Sequence, residues 1–242
     1  EIGDTIQIIQ ALNNIGTDYR RMSILDDASD YHYQALAVSD AYSDKTSTVS
    51  IKNRVVSLNG IGNVQLSLGN SLEAERVFRE ALKGETYLGS YLGQAINYAN
   101  IGALLEERNQ LDSARIYYAE SLRCNQLAGS DLGISLCHTH FGRLYENEGE
   151  LDKAISEYEL AYDAMKDSDD RWHWLESCLC LSRVYAAKGN STLAKVYLSE
   201  AKTAAQQINS IGHLADVYRQ EYKIESAAGN YKKALDAYKK SS

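Results

Sequence analysis

Six alanines recur in a fixed register along this chain, and they constrain it more than any other feature. They are Ala28, Ala74, Ala114, Ala154, Ala194 and Ala234, and the last five stand 40 residues apart. Twelve residues before the first four stands a glycine after a large apolar residue, in Ile15-Gly16, Ile61-Gly62, Ile101-Gly102 and Phe141-Gly142. The same stride then reaches Ser182 and Tyr222, where the small residue is lost. Four residues after each alanine comes a large one: His32, Phe78, Tyr118, Tyr158, Leu198 and Tyr238. A period of this length means stacked copies of one supersecondary unit, because a single unit cannot bury its own apolar face.

The unit itself is legible. Between the two columns lies a breaker, in Gly69-Asn70, Asn109-Gln110, Gly149-Glu150, Gly189-Asn190 and Gly229-Asn230. Glycine accepts the left-handed conformation that ends a helix. Each unit therefore reads helix A, tight turn, helix B. The chain of 242 residues has no proline, as long uninterrupted helices require. Between units, Gly89-Ser90, Gly129-Ser130, Asp170 and Ser210 fall on the same stride and suit helix N-caps. The small columns are expected to let helices A and B approach, with the large residue filling the space between hairpins. The first unit is offset, since Gly16 to Gly62 spans 46 residues. The six extra residues point to a loop at Ser43-Asp44-Lys45-Thr46-Ser47-Thr48, and Ser23 stands where the turn glycine belongs.

These positions resemble the tetratricopeptide repeat family. The glycine, the following Tyr19, Tyr145 and Tyr185, the alanine and the large residue after it match its hallmarks. Two departures are a stride of 40 against the usual 34 and the missing hairpin proline. Both fit helices lengthened at the connections. The resemblance implies an all-α fold, a right-handed α-α superhelix of about six helical hairpins. The approximate repeats are 5–42, 51–88, 91–128, 131–168, 171–208 and 211–242, forming one solenoid domain over 1–242. The chain starts at Glu1 inside a helical pattern without Met, and so reads as part of a larger protein.

The long stride, and the segment from Ala11 to Arg20, are similar to sensor and regulatory modules of bacterial signalling proteins. That resemblance implies a protein- or peptide-binding module of a two-component sensor kinase or transcriptional regulator. A generic assembly scaffold or co-chaperone-like adaptor is the alternative. In this family, helix A residues flanking the glycine line the concave groove. Carried onto this sequence, the positions after the glycine are Thr17, Asn63, Ala103, Arg143, Arg183 and Lys223. Three before it are Asn13, Asn59, Ala99, Thr139, Leu179 and Arg219. The groove is thus amide-rich at one end and basic at the other. Asparagines can hold an extended backbone, and arginines can take a carboxylate. Alternatively, Arg143 and Arg183 pair with Glu106, Glu146 or Glu176 and bind nothing. Asn63 and Asn100 match the asparagines of chaperone-binding members, but Asn59, Leu136 and His140 stand where that subclass needs basic residues.

Other chemistry is thin. A net charge of −8 disfavours nucleic acid, which calls for a basic excess. No apolar run is long enough to span a membrane. The compartment stays open between the cytoplasm and the exterior. Cys124, Cys137, Cys178 and Cys180 lack disulfide or zinc spacing and read as buried thiols. Cys137-His138-Thr139-His140 does not converge on a metal, so no metal or cofactor is expected. Trp172-His173-Trp174 reads as one packed and one part-exposed indole at a repeat junction. The sequence has no nucleophile–base pair or phosphate-cradling loop, so this segment is not expected to be an enzyme, although the full-length protein could carry a kinase domain.

Overall fold

A computed structural model describes residues 2–41 and 47–241. Every element among the described residues is an α-helix. The N-terminal unit, Glu1–Ala128, holds α1 (Ile2–Arg21), α2 (Leu25–Ala41), α3 (Thr48–Ser67), α4 (Ser71–Tyr87), α5 (Tyr91–Glu107) and α6 (Leu111–Ala128). The C-terminal unit, Gly129–Ser242, holds α7 (Asp131–Asn147), α8 (Leu151–Met165), α9 (Arg171–Ala187), α10 (Ser191–Gln207), α11 (Ile211–Ala227) and α12 (Tyr231–Ser241). Successive helices pair as antiparallel hairpins, and each hairpin packs on the next in its unit. Each unit is therefore a three-hairpin solenoid, which is the fold class expected.

Local chemistry sets the helix ends. Gly69, Gly149, Gly189 and Gly229 close the hairpin turns with φ between 73° and 82°. At the first of these, Asn70 N–H donates to Gln65 O (2.8 Å) and Gly69 N–H to Leu66 O (3.0 Å). That pair of bonds satisfies carbonyls the helix end would otherwise orphan. Ser23 and Asn109 take the same left-handed conformation without being glycine. At the connections between hairpins, Ser90, Ser130, Asp170 and Ser210 each accept from the backbone N–H three residues on. Residues 43–46 of the expected loop lie outside the described residues. Ser47 is the N-cap of α3 and Thr48 is already helical, so the loop reading ran one residue too far.

The alanine column is buried throughout, between 0% and 3% exposed, as close helix contact requires. The large column does more than fill the space between hairpins. A Cβ built on Gly62, Gly102 or Gly142 would lie 2.4, 2.7 or 2.5 Å from the ring of Phe78, Tyr118 or Tyr158. Each glycine is thus the seat of the ring sixteen residues on, within its own hairpin, rather than a spacer for the alanine. The same residues also fill the space to the next hairpin: Tyr158 packs with Leu181 and Val184 of α9, and His32 lies against Gly60 of α3. Where Ser182 replaces the glycine, the partner shrinks to the buried Leu198. Where Tyr222 replaces it, Tyr238 is pushed out to 55% exposure, with ring centroids 5.7 Å apart. Volume is conserved across the contact, as a close-packed interior demands.

Candidate helix-A binding face

The buried tyrosines tie the core to helix A. Tyr118 and Tyr158 have fully buried rings, yet their hydroxyls donate to Glu106 Oε2 (2.7 Å) and Glu146 Oε2 (2.8 Å), one turn past the seat glycine. Burial, with Cys180 and Glu146 nearby, drives the Tyr158 phenol well above its ordinary pKa, so it stays a donor. Arg183 from the next hairpin closes on the same carboxylate through Nε and Nη2, at 2.8 and 2.9 Å. Burial alone would raise the Glu146 carboxyl, but the bonds from Arg183 and Tyr158 outweigh it and hold it low. The planar guanidinium suits this two-point grip. One of the pairings weighed from sequence, Arg183 with Glu146, is therefore present.

The amide-rich positions lie in the N-terminal unit. Asn13 is 4% exposed and fully engaged. Its Nδ2 donates to Ser57 Oγ (3.0 Å), and its Oδ1 meets His32 Nδ1 at 2.9 Å. Asn13 therefore ties α1 to α3. Thr17 donates to the Asn13 carbonyl at 2.9 Å. Asn59, Asn63 and Asn100 are half-buried, and Asn59 Oδ1 is buried without a partner.

The basic positions lie in the C-terminal unit. Arg183, Arg219 and Lys223 line one cavity of about 230 Å³ between α9 and α11, floored by Leu179 and Cys180. Arg219 is held by Asp216 at 2.5 Å. Arg143 stands on α7, outside this cavity, with Nη2 2.9 Å from His140 Nδ1. Glu176, weighed from sequence as an arginine partner, stands on the cavity wall, where sequence reasoning missed Asp216. It also missed that His213 bridges Ser210 Oγ (2.7 Å) and Glu176 Oε1 (2.8 Å), because these residues come from two helices. Trp174 packs against Tyr162 at 5.7 Å while Trp172 is 47% exposed, the division expected at this junction. All four cysteines are buried and free. No cluster of metal-ligating side chains occurs among the described residues, and none of the described helices is long and apolar enough to cross a membrane.

Stacked two-helix units with small-on-large seats define a helical-hairpin repeat scaffold. Residues 53–126 match the tetratricopeptide repeat family, and residues 137–166 match a second profile of the same repeat. The tetratricopeptide repeat pattern is thus present over these two segments. Among curated proteins no sequence matches it. Among solved structures it is similar to the apo form of RapI, with TM-score 0.76 and 14% identity over 96% of each chain. It is also similar to BtubC (BKLC) from P. vanneervenii, with TM-score 0.72 and 16% identity over 85% of this chain and 83% of that one. The Rap conjugation gene regulator of plasmid pLS20, solved with the Phr* peptide, gives TM-score 0.71 and 16% identity over 94% of this chain and 60% of that one. At these identities the likeness is one of fold.

Proposed function

We propose that this chain is a peptide-binding module acting as the sensor or regulatory part of a bacterial signal-transduction protein. Its hairpins serve as one domain, and its ligand is an extended peptide carrying an acidic group. The observation behind this reading is the α9–α11 cavity. Three cations from two helices, Arg183 on α9 and Arg219 and Lys223 on α11, stand around it with an apolar floor, beside the carboxylates of Glu176 and Asp216. An acidic side chain or terminal carboxylate fits such a cavity, accepting from a guanidinium while its stem rests on Leu179. The half-buried Asn59, Asn63 and Asn100 are candidates to hold a peptide backbone within the N-terminal unit. A peptide-bound neighbour of the same fold supports the ligand class. Occupancy would act by changing how the hairpins stack or how they pack on an output domain.

Selection from a displayed library of random decapeptides tests the reading. Enriched peptides should carry Asp, Glu or a free C-terminus, and Lys223→Glu should weaken them at least about tenfold. A pool without acidic bias, or one indifferent to Lys223→Glu, refutes the reading.

A further inference from the structure

A cavity of about 720 Å³ opens in the N-terminal unit among α2, α3 and α4. None of the helix-A candidates lines it. Its wall carries Arg54, Arg76, Arg79 and Lys83 against the carboxylates of Asp40 and Glu80, and Glu73 and Glu75 behind the wall pair with Arg76 and Arg79.

The arginines are braced. Arg54 reaches Asp40 at 2.7 Å and also bonds Glu80. Arg76 is held by Glu73 (2.7 Å) and Glu80 (3.4 Å), and Arg79 by Glu75 (2.7 Å). Each guanidinium has five donors, so donors remain after these pairings. Lys83 lies one turn past Arg79 on α4, is exposed, and pairs with no carboxylate among the described residues. The cavity also holds an unmet hydroxyl. Ser39 is 2% exposed, lines the cavity, and its Oγ bonds nothing. Six other buried side-chain atoms among the described residues are also unpaired, but of these residues Ser39 alone lines this cavity, where its hydroxyl can meet a bound group.

We propose that this cavity binds a small phosphate monoester with a hydroxylated body, of sugar-phosphate or nucleotide size. Phosphate offers acceptors only, and the wall offers guanidinium, ammonium and hydroxyl donors. A monoester carries about −1.5 to −2 charges at neutral pH, which Lys83 and the guanidinium N–H donors left over from the ion pairs can receive. The volume is that of a pocket for a whole small molecule, roughly 300–1,000 Å³, and far exceeds inorganic phosphate. Ile51 and the Tyr87 ring supply apolar wall for the body, while Asp40 and Glu80 can accept from its hydroxyls.

Calorimetric titration of the intact chain with adenosine 5′-monophosphate and glucose 6-phosphate tests the site. At least one ester should bind, adenosine and glucose should not, and inorganic phosphate should bind at least about tenfold more weakly. Lys83→Gln should weaken the ester about tenfold, and Ser39→Ala about threefold without lowering the melting temperature. Lys232→Gln, an exposed lysine of the other unit, should change nothing. The proposal fails if neither ester gives heat at millimolar concentration, or if adenosine and glucose bind as well as their esters. It fails equally if Lys83→Gln and Lys232→Gln weaken binding alike, since that is charge screening.

Discussion

Gly142→Ala should destabilise the C-terminal unit even though alanine is the better helix former. The added Cβ would lie 2.5 Å from Tyr158 Cε1 and 2.6 Å from Cδ1, so the ring must retreat by roughly 1 Å to reach ordinary contact. It cannot retreat freely. The ring is fully buried, its hydroxyl is bonded to Glu146, and Glu146 is gripped twice by Arg183. Overpacking of this kind costs about 1–3 kcal/mol. Weakening a hydrogen bond to a charged group adds up to about 1.5–3 kcal/mol. Helix propensity returns about 1 kcal/mol. The balance is a net loss of about 2 kcal/mol, readable from urea unfolding midpoints followed by circular dichroism. Two companions sharpen the test. Gly212→Ala, where a Cβ meets nothing within 4 Å, should stabilise by about 0.5–1 kcal/mol. The double variant Gly142→Ala/Tyr158→Leu should be more stable than the two single effects predict, with coupling above about 1 kcal/mol. If Gly142→Ala behaves like Gly212→Ala, the ring-on-glycine seat does not explain the column.

Two further outcomes follow from single positions. Burial, and then Arg20, lower the His32 pKa from 6.5 to about 4, and with Nδ1 donating to Asn13 the buried Nε2 has no partner. The unfolded chain takes the proton first, so this contribution is intact above pH 6.5 and lost as pH falls toward 4. Stability should drop by about 2–3 kcal/mol between pH 7 and 4.5 in excess of that of His32→Phe, and equal pH profiles for the two proteins would remove the assignment. Asn209 ends α10 at φ 52°, where other hairpin connections have glycine, so Asn209→Gly should raise the melting temperature by a few degrees. A fall in thermal scans would mean that the asparagine side chain holds the turn.

The hairpins were legible because their signals are local. A left-handed residue at Gly69, Gly149 or Gly189, and a cap at Ser90, Ser130 or Ser210, act over three to five residues of chain. Their energetics are the same whatever packs nearby. The alanine column was legible because a 40-residue period repeats one constraint. What the columns are for was not legible. The glycine seats a ring sixteen residues away, and that depends on how far each helix rotates about its axis as the hairpin closes. The same rotation buried Asn13 against Ser57 and His32, although its place beside the glycine matched that of half-buried Asn59. It brought Arg183 onto Glu146, 37 residues earlier, and gathered Arg54, Arg76 and Lys83 around one cavity from two helices. The six alanines by themselves determined that helices A and B meet closely and in what order. Only their packing decided which polar side chains pair internally and which remain to meet a ligand, because that choice rests on distances of a few ångströms between residues far apart in the chain.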